Sequence, residues 1–167
     1  TVFSGCARSA LHELKYRRNI ALGVTLADSL IELLVELNWK PDIILPIPIS
    51  RERFIERGFN QSAFLALPIA LKMGIKYSNK IIQRIQNTRT QVGLSISERK
   101  SNVENAFVCD SEKIQSRCIL LVDDVITTGA TMRACAQVLI DGGASQVYGL
   151  SYARAKYLDD DPLTPQC

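Results

Sequence analysis

The sequence predicts an α/β domain built on a central, mostly parallel sheet flanked by helices. Three observations carry that expectation. The run "CILLVDD" (118–124) is nearly continuous hydrophobe, as in a strand covered on both faces. It leads into the helical pattern "ATMRACAQVLIDGG" and then into a second strand pattern, "SQVYGLSYAR", which is the strand, helix, strand order of parallel units. The chain is 167 residues long, 47% hydrophobic and 22% charged, which suits one globular domain with a proper core.

Taken in order, "SALHELKYRR" reads as a helix and carries His12, the single histidine, which reads as a surface or satisfied residue. Spacing forces no chemistry on Lys15 or Tyr16. From Ile20 to Leu37, Ala27, Leu30, Ile31, Leu34 and Leu37 recur at helical spacing while Asp28, Glu32 and Glu36 line another face, predicting an amphipathic helix. Ile43 to Leu45, bounded by Pro41, Pro46 and Pro48, predicts a short buried strand, followed by a loop that continues through Gly58. "NQSAFLALPIALKMG" predicts a helix opening near Asn60 and closing at Gly74, kinked or restarted at Pro68. "KIIQRI" is a second short strand pattern. Residues 86–105 have little apolar periodicity and predict a long loop with some local helix, a length usually functional or disordered. "YLDDDPLTPQC" reads as an acidic tail without regular structure.

The formal charge of +3 is small and its Lys and Arg residues are scattered, so charge alone does not indicate nucleic-acid binding. No apolar run reaches the roughly 18 residues of a membrane span, and the start lacks the core of a signal peptide, so a cytoplasmic protein without membrane insertion is expected. Cys6, Cys109, Cys118, Cys135 and Cys167 are odd in number and widely spaced, and read as buried or incidental thiols. The chain starts at Thr1 rather than methionine, as a fragment or a trimmed N-terminus would.

Chemistry concentrates where "CILLVDD" gives way to "VITTGAT". Ligands of parallel sheets bind beyond the carboxyl ends of the strands, and Asp123 and Asp124 are expected at such an end. Backbone N–H groups of the turn and of the next helix's first turn make a phosphate site, and Thr127, Thr128, Gly129, Ala130 and Thr131 add hydroxyls and one unrestricted backbone position. The acids would repel that phosphate, so they must face another part of the same ligand, vicinal hydroxyls or a magnesium ion; a phosphorylated sugar meets both demands. A second patch, "PIPISRERFIERGFNQ", places Arg51, Arg53 and Arg57 within seven residues, ahead of Gly58 and Asn60. Arginine's planar fork of donors suits diphosphate oxygens.

All thirteen positions from Ile119 to Thr131 fit the phosphoribosyl diphosphate (PRPP) motif of type I phosphoribosyltransferases. With "RGFNQ" and "QVGLSISERKSNVENAF", the chain resembles, over nearly its whole length, the ComF (GntX) family of phosphoribosyltransferase-like proteins. The resemblance implies a type I phosphoribosyltransferase fold with a small hood and a flexible loop. It implies one domain over residues 1–157, with a helical or hood part over about 1–40 and a core over about 41–157, then a tail over 158–167. Asp123 and Asp124 would hold the ribose 2- and 3-hydroxyls, and residues 127–131 the 5-phosphate. Arg51, Arg53, Arg57, Gly58 and Asn60 would form the diphosphate loop, with Arg53 and Arg57 foremost. Gln91, Leu94, Ser95, Arg99, Asn102 and Phe107 match the family's mobile loop, within which Arg99 is the best catalytic candidate. Two departures stand out: the four-cysteine zinc segment often found ahead of this domain is not in the sequence, and Asn105 replaces a common glycine.

The implied activity is a Mg2+-dependent transfer of the phosphoribosyl group from PRPP to an unknown acceptor with release of diphosphate. The metal would be held mainly through PRPP, with Asp123 and Asp124 as candidate direct ligands. Hypoxanthine and guanine salvage enzymes commonly carry an aspartate where this chain has Thr127, which counts against that substrate class, and 167 residues leave no room for a glutaminase domain. Two other functions stay open: a non-catalytic PRPP or nucleotide sensor, and a competence-associated accessory protein whose partners are single-stranded DNA or competence proteins. A homodimer is compatible with each.

Overall fold

The computed structural model describes residues 5–16, 20–85 and 106–155. Helix α1 spans Gly5–Tyr16 and α2 Ile20–Glu36. Strand β1 (Ile43–Pro46) leads into α3 (Arg51–Arg57) and α4 (Ala63–Met73). Three short strands follow, β2 (Lys76–Tyr77), β3 (Ile82–Arg84) and β4 (Phe107–Cys109). A 3-10 turn at Ser111–Lys113 precedes β5 (Cys118–Ile126), α5 (Ala130–Asp141) and β6 (Gln146–Arg154). The main sheet has the order β2-β1-β5-β6 and is parallel throughout.

Each face of that sheet carries its own core. Ile44, Leu120, Val122 and Leu150 pack on Leu11, Leu14, Leu30, Leu34, Leu65 and Ile69 from α1, α2 and α4. Ile43, Leu45, Ile119 and Leu121 point to the other face, against Met132, Cys135 and Leu139 of α5 and Ile82 and Phe107. The alternation follows from the two-residue repeat of a strand, and burial on both faces explains why β1 and β5 read as unbroken hydrophobe. Along α2, Ala27, Leu30 and Leu34 are buried as the helical spacing predicts, whereas Leu37 lies past the helix end and is exposed. Asn38, at φ 51, ends that helix in the left-handed conformation.

Several elements differ from their sequence reading. The loop expected through Gly58 contains α3 instead. Ser50 caps it by accepting from the Arg53 N–H at 3.3 Å, Glu52 stands in its first turn and Arg57 in its last, and Gly58 closes it at φ 75. Those are standard start and stop signals, masked here because a seven-residue helix is too short to show periodicity. Pro68 neither ends nor restarts α4, which runs through it. Proline has no N–H to give the carbonyl of Phe64, and α2 closes on that point: a Cβ on Gly23 would stand 2.9 Å from the Phe64 oxygen. "KIIQRI" supplies β3, but in a separate antiparallel pair with β4 rather than in the main sheet. β5 continues past "CILLVDD" to Ile126, so Asp123 and Asp124 lie inside its last turns of pairing, Asp123 opposite Ser151 of β6. Gln91, Leu94, Ser95, Arg99, Asn102, Asn105 and the tail lie outside the described residues, whereas Phe107 is buried in β4. Among the described residues, no helix is long and apolar enough to cross a membrane.

Candidate functional site

The chain leaves β1 for β2 through α4 on one face and leaves β5 for β6 through α5 on the other. Strand order therefore reverses between β1 and β5, and the crevice beyond their carboxyl ends is where open α/β sheets bind ligands. Asp123 and Asp124 stand there. Past Pro46 the two strands stay joined, the Ile47 N–H donating to the Val122 carbonyl at 2.9 Å, one residue ahead of the first acid.

The acids are held by the segment between α3 and α4. Asn60 donates its amide to the Ile47 carbonyl at 2.9 Å and accepts from the Ser62 N–H at 3.1 Å, which fixes the turn into α4. The Ser62 hydroxyl then donates to Asp123 Oδ1 at 2.9 Å, and the Gln61 amide donates to Asp124 Oδ1 at 3.3 Å. Arg57 Nη1 donates to Gln61 Oε1 at 3.1 Å, so this arginine is tied to the acids through Gln61. Among the described residues the buried polar side chains are Gln61, Ser62 and Asp124, and all three belong to this one network. A buried polar cluster at a strand end is costly to keep and marks a site more often than a scaffold. Burial, and next the adjacent Asp124 carboxylate, push Asp123 up to about 7, against the opposing pull of the Ser62 hydroxyl.

On the β6 side of the acids, residues 127–129 join β5 to α5. Gly129 takes φ 75 as the residue before the helix, and the Thr128 hydroxyl accepts from the Ala130 N–H at 3.3 Å. Arg133 reaches back one turn, donating to the Thr128 carbonyl at 2.9 Å, and closes over Gly129. A cleft of about 320 Å3 results, lined by Thr127, Thr128, Gly129, Arg133, Ser151 and Arg154. Among the described residues it is lined by two guanidinium groups and no carboxylate, and the first turn of α5 contains no acid, so these groups favour an anion. Ala130 and Thr131 open the helix behind it.

On the β1 side a larger cleft of about 510 Å3 runs between α3 and β3, and Arg51, Gly58 and Asn60 of the expected diphosphate loop line it. Arg53 is exposed on α3, close enough to act on Arg84 of β3, whose guanidinium lies 5.6 Å over the Phe107 ring.

Of the expected residues, the two acids stand at the switch point, residues 127–129 line a cleft on the β6 side, and Arg51, Gly58 and Asn60 line a separate cleft on the β1 side. Arg57 is bonded toward the acids through Gln61; Arg53 lines neither cleft, and Arg99 lies outside the described residues. Gln61, Ser62, Arg84, Arg133, Ser151 and Arg154 were not legible as site residues. Only "FNQS" could have pointed to the first two, since polar residues at a helix start abutting a buried strand need partners. Among the described residues, no cluster of three or more His, Cys, Asp or Glu could hold a metal ion. The two carboxylates are hard oxygen donors that suit magnesium only if a ligand's phosphates complete its shell. His12 is exposed on α1, away from these elements in sequence. Cys109, Cys118 and Cys135 are free thiols, and burial pushes Cys135 upward, away from reactivity.

A scan against protein-family models finds no match. The chain is 35% identical over 142 residues to the DNA utilization protein YhgH of Salmonella typhi, covering 82% of this chain and 62% of that protein. It is 35% identical over 117 residues to competence protein F of Haemophilus influenzae, covering 69% and 51%. It thus spans about three fifths of the length of the first of these relatives. Among solved structures, adenine phosphoribosyltransferase from Thermoanaerobacter pseudethanolicus superposes with a TM-score of 0.52 at 14% identity, over 82% of this chain and 83% of that one, a likeness of fold alone. The parallel sheet with its acids at the switch point, the shared fold and the similarity to competence and DNA utilization proteins agree: the chain belongs to the ComF family of phosphoribosyltransferase-like proteins, with a type I phosphoribosyltransferase fold.

Proposed function

We propose that this domain binds PRPP and transfers its phosphoribosyl group to an acceptor, releasing diphosphate. The observation that carries the reading is the order of groups across the crevice: an anion-favouring cleft, then two carboxylates, then an arginine-rimmed cleft. A sugar with a 5-phosphate at one end and a diphosphate at the other has the same order. Thr127, Thr128, Gly129, Ala130 and Thr131 would anchor the 5-phosphate, with Arg133 and Arg154 adding charge. Asp123 and Asp124 would accept hydrogen bonds from the ribose hydroxyls. Arg51, Arg53 and Arg57, joined by Arg99, would face the diphosphate, while Gly58 and Asn60 shape its loop.

In the transfer the bond from C1 to the diphosphate oxygen breaks, its electron pair leaving on diphosphate, and the acceptor's lone pair bonds C1. Positioning and charge stabilisation would do the work, and no side chain is needed as a nucleophile. Mg2+ carried on PRPP, with Asp123 and Asp124 as the residues that would hold it directly, would supply further neutralisation of the leaving group. The reading assigns the domain to the cytoplasm.

The names of the relatives favour a second reading, an accessory role in DNA uptake with single-stranded DNA or competence proteins as partners. Calorimetry with PRPP and Mg2+, then an assay of diphosphate release across bases and amines, decides between them. Binding with release supports the transferase. Binding without release for any acceptor supports a sensor. Salt-sensitive binding of single-stranded DNA without PRPP binding supports the accessory role.

A further inference from the structure

Gln61 stands between a cation and an acid that belong to different elements. Arg57 is the last residue of α3, Gly58 turns the chain at φ 75, and Gln61 precedes the Ser62 that opens α4. Asn60 pins this turn to the end of β1 through the Ile47 carbonyl and the Ser62 N–H. The backbone that delivers Gln61 is therefore fixed on both sides, and the side chain it delivers is buried, at 4% exposure. A buried amide must find partners for both of its ends.

It finds them in two charged groups. Gln61 Oε1 accepts from Arg57 Nη1 at 3.1 Å, and Nε2 donates to Asp124 Oδ1 at 3.3 Å. The ends of a carboxamide are not interchangeable, since the oxygen only accepts and the nitrogen only donates. A guanidinium on one side and a carboxylate on the other thus leave the amide one orientation. Hydrogen bonds to charged groups are also the strong ones, so the guanidinium of α3 and the carboxylate of β5 are held at one offset from each other.

We propose that Gln61 is a positioning residue, its amide keeping Arg57 and Asp124 in the register that a sugar diphosphate needs. The role rests on the phosphoribosyl-transfer reading, in which Arg57 faces the diphosphate and Asp124 the ribose. Gln61 forms and breaks no bond in the transfer and acts through these two side chains. A ligand that carries both groups in one molecule gains affinity when their offset is set before it arrives.

The test is a double-mutant cycle on the full chain, read by calorimetry of PRPP with Mg2+. Gln61→Met keeps an unbranched side chain of similar length without either hydrogen bond, and should weaken PRPP by about tenfold. In an Arg57→Met background the amide has nothing left to hold on the diphosphate side, so the same change should cost less than about threefold. A residue that only fills the turn would cost the same factor in both backgrounds, and that additivity would overturn the proposal. Gln61→Asn keeps a buried amide should Gln61→Met not fold. Its amide is drawn back by about 1.5 Å and cannot span both groups, so PRPP should again bind more weakly. Parent-like binding by either variant removes the role of Gln61 and leaves the transfer reading standing. A parent chain that binds no PRPP removes both.

Discussion

Asp123 shows how function is set against stability at a single residue. Its carboxyl is pushed up to about 7, well above the ordinary aspartate value of 3.8, by desolvation and then by the adjacent Asp124 carboxylate. The folded chain therefore binds more protons than the unfolded one between those values. The contribution to stability is full below about pH 4 and is lost as pH rises through about 7, at up to roughly 1.4 kcal/mol per pH unit. Asp123→Asn should flatten that decline, so denaturant titrations at pH 5 and 8 should differ less in the variant than in the parent protein. Ser62 works the other way: its hydroxyl favours the charged acid, so Ser62→Ala should cost about 1–2 kcal/mol and move the Asp123 titration further upward, read by carboxyl NMR shifts.

At the scale of elements, the turn into α5 and the contact between α2 and α4 make separate predictions. Arg154, opposite Ile126 in the β5–β6 ladder, lines the anion cleft and is exposed, so Arg154→Met should weaken PRPP by about tenfold, seen by calorimetry, with melting unchanged. Gly23→Ala should lower stability by about 1–3 kcal/mol in chemical denaturation, since its Cβ would meet the Phe64 carbonyl. How much of this was legible depended on range in sequence. β5 and α5 could be read directly, because hydrophobic runs and helical periods are local signals, and the two acids with residues 127–131 came with them. α3 offered only caps, and the β3–β4 pair joins Arg84 to Phe107 across a gap no local pattern bridges. Arg84, Arg133 and Arg154 escaped notice for the same reason: each reaches the site through pairing or helix geometry, and an isolated arginine in sequence carries no sign of what it faces.

Across the whole molecule, the reversal of strand order between β1 and β5 sets the acids between two clefts of different chemistry, one cationic and lined by hydroxyls, one aromatic and rimmed by arginine. Family membership and fold follow from sequence and structural likeness; the claim that the crevice receives PRPP depends on the acids together with the two clefts that flank them. Titration of PRPP with Mg2+ into the parent chain and into the Asp123→Asn, Asp124→Asn double variant tests it most directly. The parent should bind saturably. The double variant should melt no lower than the parent yet bind at least about a hundredfold more weakly, a loss of about 2.7 kcal/mol. A folded double variant that binds PRPP as tightly as the parent would contradict the assignment of the two acids to the ribose.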